Sequence, residues 1–239
     1  MKIILATAYD INPYKGSESG TGWNFICQIS RFNRVIAITR KNNRHNIEKY
    51  IKENSINIDN ISFRYYDLPY VLRFWKRGPR GAFLYYNLWQ VGLVFDIIKS
   101  GLKFDAVQHI NFHADHVPSF LWLLRKPFIW GPINHNEPIP RQFLPTKTSF
   151  LKDRVIFLVK YMRWNFDPLL YLCSRQAVAI IGANSSVKSR LRVSDSKFHT
   201  ISTVGAVTPD YDQILGGTRT ISQEDPFTVI SVGRHVPIK

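Results

Sequence analysis

With 239 residues, 45% of them hydrophobic, the chain can bury one full core and part of another, and this composition argues for a globular fold. A formal charge of +15, from 32 Lys and Arg against 17 Asp and Glu, calls for an anionic partner or surface. No uninterrupted apolar run is long enough to span a bilayer, since the best candidate, Gly81 to Phe95, contains Asn87 and Gln90.

The first apolar run, Lys2 to Ala8, predicts a buried strand. It is too short for a signal peptide and lacks a small-residue cleavage site. Gly16-Ser17-Glu18-Ser19-Gly20-Thr21-Gly22 follows and reads as a glycine-rich turn. After it, Trp23, Ile26, Cys27 and Ser30 have the spacing of a helix with one apolar face. Such a turn lets a ligand approach the backbone, and it aims free N–H groups and a helix dipole at an anion. A diphosphate or sugar phosphate is the natural guest. A Walker loop would need Gly-Lys-Ser/Thr at its end, where this chain has Gly22-Trp23. A dinucleotide fingerprint needs different glycine spacing and an acid after the second strand, and that strand, Arg34 to Thr39, runs instead into Arg40-Lys41. A nucleophile elbow fails because Glu18 holds the central position.

Further along, Asn46 to Glu53 is helix-prone and Ile61 to Tyr66 predicts a third strand. Tyr70 to Lys99 reads as one long amphipathic segment, Phe104 to Ile110 as the fourth strand, and Pro127 to Trp130 as a short fifth. Helices are expected over Ser149 to Trp164, Asp167 to Gln176 and Ser185 to Arg192, the last capped from Asn184-Ser185-Ser186. Strands are expected at Ala177 to Ile181 and Phe198 to Ile201. This alternation predicts an α/β fold, a Rossmann-like parallel sheet with helices on both faces, and there is no internal repeat. The domain should run over 1–207, with a linker over 208–226 around Gly216-Gly217. Residues 227–239 then hold one strand, Phe227 to Val232, which reads as the opening of a truncated second domain. Cys27 and Cys173 sit in apolar helical patterns without metal-type spacing, as buried free thiols of a reducing cytoplasm would.

Pro13 to Asn24 resembles the "GSE-x-G-x-GW" signature of family-4 glycosyltransferases, which have the retaining GT-B fold. Pro118-Ser119-Phe120-Leu121-Trp122 and Pro127-Phe128-Ile129-Trp130-Gly131-Pro132 resemble that family's "PSFLW … PFIWGP" segment. Val232-Gly233-Arg234-His235-Val236-Pro237-Ile238-Lys239 looks like the "VGRLVPxKG" that opens its second domain. The resemblance implies the N-terminal, acceptor-side half of an enzyme that moves a sugar from a nucleotide sugar to a hydroxyl with retention and without metal. It implies donor-phosphate contacts from Gly16, Gly20, Gly22, Arg234 and Lys239. The family's strand-end "HH" or "HxH" makes His109 the catalytic candidate near the transferred sugar, although Gln108 replaces the first histidine. The family's "GPVGGGE" loop matches at Glu137, with His135 and Asn136 standing where two glycines are usual. Ser17, Glu18, Asn134 and Glu137 are thus the candidate acceptor-loop residues. The family's Glu-x7-Glu motif lies beyond Lys239, so the resemblance implies an inactive chain unless a C-terminal polypeptide complements it.

His109 and His113 have the spacing of a zinc helix but lack its glutamate and follow a strand pattern, so no metal is expected. Arg234 and Lys239 have the right chemistry to neutralise a nucleotide leaving group, yet cannot form a site by themselves. Arg73, Trp75, Lys76, Arg77 and Arg80 lie in a stretch without acids where cations and aromatics interleave, and Phe150 to Phe166 repeats the theme. One reading is a face for an anionic membrane, at the cytoplasmic side of the cytoplasmic membrane; the other is a helix with an aromatic core face and a wet basic face. A nucleic-acid binder is suggested by charge alone and lacks every recognition signature. A non-catalytic membrane-peripheral scaffold with the same fold is the second alternative to a cell-surface polysaccharide or glycoconjugate glycosyltransferase.

Overall fold

The computed structural model describes residues 1–76, 78, 81–110 and 114–201. In chain order its elements are β1 (Ile3–Thr7), α1 (Ser17–Ser30), β2 (Arg34–Thr39), α2 (Arg44–Glu53), β3 (Ile61–Tyr65), α3 (Ala82–Ser100) and β4 (Ala106–His109). They continue with β5 (Phe128–Ile133), α4 (Lys147–Phe166), α5 (Pro168–Gln176), β6 (Ala179–Gly182), α6 (Ser186–Leu191) and β7 (Phe198–Thr200). The strands form one seven-stranded sheet in the order β3-β2-β1-β4-β5-β6-β7, and every pairing is parallel. This is the Rossmann-like α/β sheet expected from the sequence.

Burial on both faces explains the continuous apolar runs of the inner strands. Leu5, Ile38 and Val107 face one core, built with Tyr85, Tyr86, Trp89, Leu93 and Ile97 of α3. Ala6, Val35 and Ala37 face the other, built with Trp23 and Ile26 of α1 and Ile47 of α2. The buried positions of α3 recur near every fourth residue, so a single stripe of the helix covers the sheet. Local signals set several helix ends. Asp167 accepts from the N–H groups of Leu169 and Leu170 ahead of Pro168, and Asn184 Oδ1 accepts from Val187 N–H at 3.3 Å. Cys173 is buried and Cys27 half-buried, and neither is in a disulfide; burial pushes the Cys27 thiol up to about 11.

Two expected elements differ. The glycine-rich segment is not a turn, because α1 starts at Ser17 and takes in Gly20 and Gly22. Gly20 is a glycine for packing: a Cβ there would lie 2.3 Å from the Lys15 carbonyl oxygen, where the preceding loop folds back on the helix. The stretch from Tyr70 to Lys99 is not one helix either. A short 3-10 turn covers Tyr70–Leu72, and α3 begins only at Ala82, beyond Gly78 and Gly81, which hold φ of 55° and 69°. Arg73, Trp75 and Lys76 therefore lie in a connecting segment and not on a helix face. Arg77 and Arg80, the linker, the strand from Phe227, and Arg234 and Lys239 lie outside the described residues.

Gly20→Ala should destabilise the fold. Helix propensity favours alanine by about 1 kcal/mol. A Cβ pressed on a backbone oxygen forces a main-chain shift that costs roughly 1–3 kcal/mol. Urea unfolding should show a net loss, whereas Gly16→Ser, with nothing within 4 Å of its Cβ and serine favoured at an N-cap, should match or exceed the parent. A Gly20→Ala variant as stable as the parent would show that the close approach is not a constraint.

Candidate functional site

Strand order reverses between β1 and β4, and open α/β sheets bind ligands beyond the carboxyl ends of the strands at such a point. Here Thr7 pairs with His109. The chain leaving β1 is pinned at Tyr9, whose carbonyl accepts from Arg40 Nε (3.2 Å) and Asn43 Nδ2 (3.1 Å). The Arg40 guanidinium lies 4.0 Å over the Tyr9 ring, and Tyr86 and Trp89 meet that ring edge-on at 5.1 and 5.2 Å. Asp10 accepts from the Ser19 hydroxyl in the first turn of α1 and stands 3.6 Å from Arg40. The start of α1 is thereby tied to the ends of β1 and β2.

His109 closes β4 with 3% of its surface exposed, its Nε2 hydrogen-bonded to the Tyr86 hydroxyl at 2.8 Å. Complete burial, then the neighbouring Glu18 carboxylate, hold the Tyr86 hydroxyl well above its ordinary pKa, so it stays protonated. The charge of Glu18, in the first turn of α1, and the ring of His109, at the end of β4, thus both act on Tyr86. Among the glycines, Gly16 is the exposed N-cap of α1, whereas Gly20 and Gly22 are buried within the helix. Ser17 opens that helix. Gln108, in place of the expected histidine, is buried and donates to the Gly131 carbonyl at 3.3 Å, which ties β4 to β5. Gly131 sits at φ 129°, where a Cβ would lie 2.2 Å from the Ile181 carbonyl oxygen.

Beyond β4 and β5 lies a polar network that the sequence did not reveal. The His135 side chain is 0% exposed, and its Nδ1 is 2.7 Å from Asp115 Oδ2, itself 2% exposed. Its Nε2 stands 3.2 Å from Glu137 Oε1, off the hydrogen-bond direction, and Glu137 also faces Arg190 at 3.6 Å. The His135 ring packs 5.0 Å from Trp164, over which Arg190 lies at 5.4 Å. Asn184 donates to Asn134 Oδ1 (2.7 Å) and to the His135 carbonyl (3.1 Å). Asp115 and His135 meet because β4 and β5 are neighbours and the bridge Ala114–Asn134 carries their pairing onward. No linear spacing signals this contact. Among the described residues, no group of three or more His, Cys, Asp or Glu is placed to hold a metal ion.

A cleft of about 560 Å³ opens beside the switch point, beyond the ends of β2 and β3, lined by Arg40, Asp67, Arg73, Lys76 and Tyr85 among others. A second, of about 610 Å³, lies between α4, α5 and the approach to β7, and shares none of these residues.

No protein-family model matches the chain, and no curated protein does. Among solved structures, the UDP-GlcNAc 2-epimerase from Neisseria meningitidis bound to UDP-GlcNAc is similar at TM-score 0.45 and 13% identity, over 85% of this chain and 47% of the other. A UDP-glucose: anthocyanidin 3-O-glucosyltransferase in complex with UDP is similar at TM-score 0.44 and 10% identity, over 87% of this chain and 55% of the other. The chain spans about half the length of each of these two structures.

The Asp115–His135 contact is a stability element with a measurable size. His135→Ala leaves a carboxylate buried without its donor and should cost on the order of 3 kcal/mol in urea unfolding. Glu137, more than half exposed, should lose under about 1 kcal/mol as Glu137→Gln. Equal losses for the two would mean that burial does not govern this network.

Proposed function

We propose that the chain is the acceptor-side half of a retaining GT-B glycosyltransferase that moves a sugar from a nucleotide sugar to a hydroxyl of a glycan or lipid-linked saccharide, in cell-surface polysaccharide or glycoconjugate synthesis. The observation that carries this reading is convergence. Segments matching the family far apart in sequence, around Gly16 to Trp23, at His109, and from Trp130 to Glu137, all gather at the carboxyl edge around one switch point. In this reading the N-terminus of α1 faces the donor phosphates, His109 touches the transferred sugar, and Tyr86 holds its ring. Asn134 and Glu137 border the acceptor. Arg234 and Lys239 would belong to a second domain that holds most of the nucleotide.

The test is a protein joining residues 1–239 to a nucleotide-sugar-binding second domain. It should transfer sugar with a chelator present. His109→Ala should lower kcat on the order of 10²-fold while changing acceptor KM little, as expected for a contact strengthened in the transition state. Tyr86→Phe, which removes one hydroxyl from a packed ring, should lower kcat less than His109→Ala does. A joined enzyme indifferent to both changes would put the site elsewhere, and transfer by the unjoined chain would end the two-domain reading.

We further propose that the protein works at an anionic membrane surface on the cytoplasmic side. No helix among the described residues is long and apolar enough to cross a membrane, so docking would be peripheral. Support comes from α4, a 20-residue helix with no buried residue, which exposes Leu151, Val155, Leu158 and Met162 beside Lys152 and Lys160. Arg163 of α4 lies 5.2 Å over Phe83 of α3, which joins this face to the exposed Phe83, Leu84 and Leu88. Each cation near an anionic bilayer adds about 1 kcal/mol. The protein should sediment with phosphatidylglycerol vesicles, release as salt rises, and bind less well as Lys152→Gln/Lys160→Gln. Equal affinity for neutral vesicles would contradict an electrostatic docking.

A further inference from the structure

We propose that the cleft beyond β2 and β3 is a binding site for a phosphoryl group, carried by a lipid or free in solution. That this group belongs to the sugar acceptor rests on the transferase reading above; the binding itself does not.

The cleft, about 560 Å³, has the size of a small-ligand site, and three cations line it. Arg40 comes from the end of β2, and Arg73 and Lys76 from the segment after the 3-10 turn. Its acid is Asp67, and that carboxylate is already engaged: it accepts from the Tyr85 hydroxyl at 2.6 Å and from Lys41 N–H at 3.1 Å. Among the described residues, no carboxylate lies within ion-pair distance of Arg73 or Lys76. Arg40 is paired with Asp10 at 3.6 Å, but Arg73 and Lys76 outnumber Asp67, so the cleft carries net positive charge between aromatic walls, an arrangement that concentrates the field on an entering anion.

Arg40 and Lys76 are also held in place. The Arg40 side chain is 17% exposed, stacked on Tyr9 and bonded through Nε to the Tyr9 carbonyl. Lys76 Nζ sits 5.2 Å from the centre of the Tyr85 ring and reaches the Gly78 carbonyl at 3.4 Å. Two guanidinium forks and a point cation match the several oxygens of a phosphoryl dianion better than the two of a carboxylate. At the mouth, Tyr70 and Phe74 are 73% and 61% exposed, so the group bearing the phosphoryl has an apolar surface to lie on. A polynucleotide would need a track of successive cationic contacts, and a single cleft does not offer one.

The experiment titrates inorganic pyrophosphate into the 239-residue chain by calorimetry, with no donor and no turnover, so a failure of the transferase reading leaves it intact. Saturable binding is expected. Arg73→Gln/Lys76→Gln should weaken it by at least about tenfold, and the α4 double variant Lys152→Gln/Lys160→Gln should leave it within about twofold. Matching thermal melts check the folds of both variants. Absence of saturable binding, or equal loss in both variants, overturns the proposal. Vesicles of phosphatidylcholine with phosphatidic acid distinguish the sources. Vesicle binding that pyrophosphate displaces, beyond sulfate at the same ionic strength, identifies a lipid headgroup. Pyrophosphate binding without displaceable vesicle binding identifies a soluble phosphoryl ligand. Vesicle binding by a chain that ignores pyrophosphate overturns the cleft as the site.

Discussion

Parallel pairing of β1 with β4, with Thr7 opposite His109, is the constraint on which the rest of the site depends. Side chains alternate across a strand, so the register decides which face each residue serves. Leu5 and Val107 face the α3 core, whereas Ala6 faces the α1 core. Thr7 and His109 share the parity of Leu5 and Val107, so His109 must turn toward α3, where Tyr86 waits. A slip by one residue would send His109 to the opposite face and bury the wrong side of both strands. Apolar burial on the two faces therefore fixes a polar contact at the edge, and no polar group has to choose it.

Helix α3 is the second determinant, because its buried stripe also carries the polar ends that reach the loops. Trp89 Nε1 donates to the Tyr66 carbonyl at 3.0 Å, Tyr85 to Asp67, and Tyr86 meets His109. Buried tyrosines and tryptophans need such partners, and here the partners lie at the ends of β3 and β4. Tyr9 touches Tyr85, Tyr86 and Trp89 together. The basic cleft and the switch point thus share a wall. Tyr85 lines the cleft and Tyr86 meets His109, so one packed cluster stands between the two.

How far the sequence could be read follows from the same physics. β2 runs over Arg34–Thr39 as expected, because a strand buried on both faces leaves an unbroken apolar run. Asp167-Pro168 announced α5 through a cap and a proline whose chemistry is local. Gly16 to Gly22 misled because glycine ordinarily argues against helix, while at Gly20 the missing Cβ makes room for the Lys15 carbonyl. That requirement lives in a contact between helix and loop and leaves no periodic trace. The segment from Tyr70 misled in the opposite direction, since apolar spacing continued across Gly78 and Gly81 and outweighed their punctuation. The Asp115–His135 contact was illegible for a third reason: strand adjacency brings the two residues together, and the sequence between them does not encode it.

The departures from the family pattern gain a physical meaning once their side chains are placed. A histidine and an asparagine in place of glycines would be expected to narrow the space that this loop borders. His135 does not, because its ring turns inward to Asp115 and Trp164 and exposes nothing. Gln108, likewise, spends its amide on Gly131 within the sheet. Both replacements stiffen the frame beneath the carboxyl edge. The chemistry that this loop presents outward is left to Asn136 and Glu137, which are exposed. Glu137 stands between the buried His135 and Arg190, and Arg190 is itself stacked over Trp164.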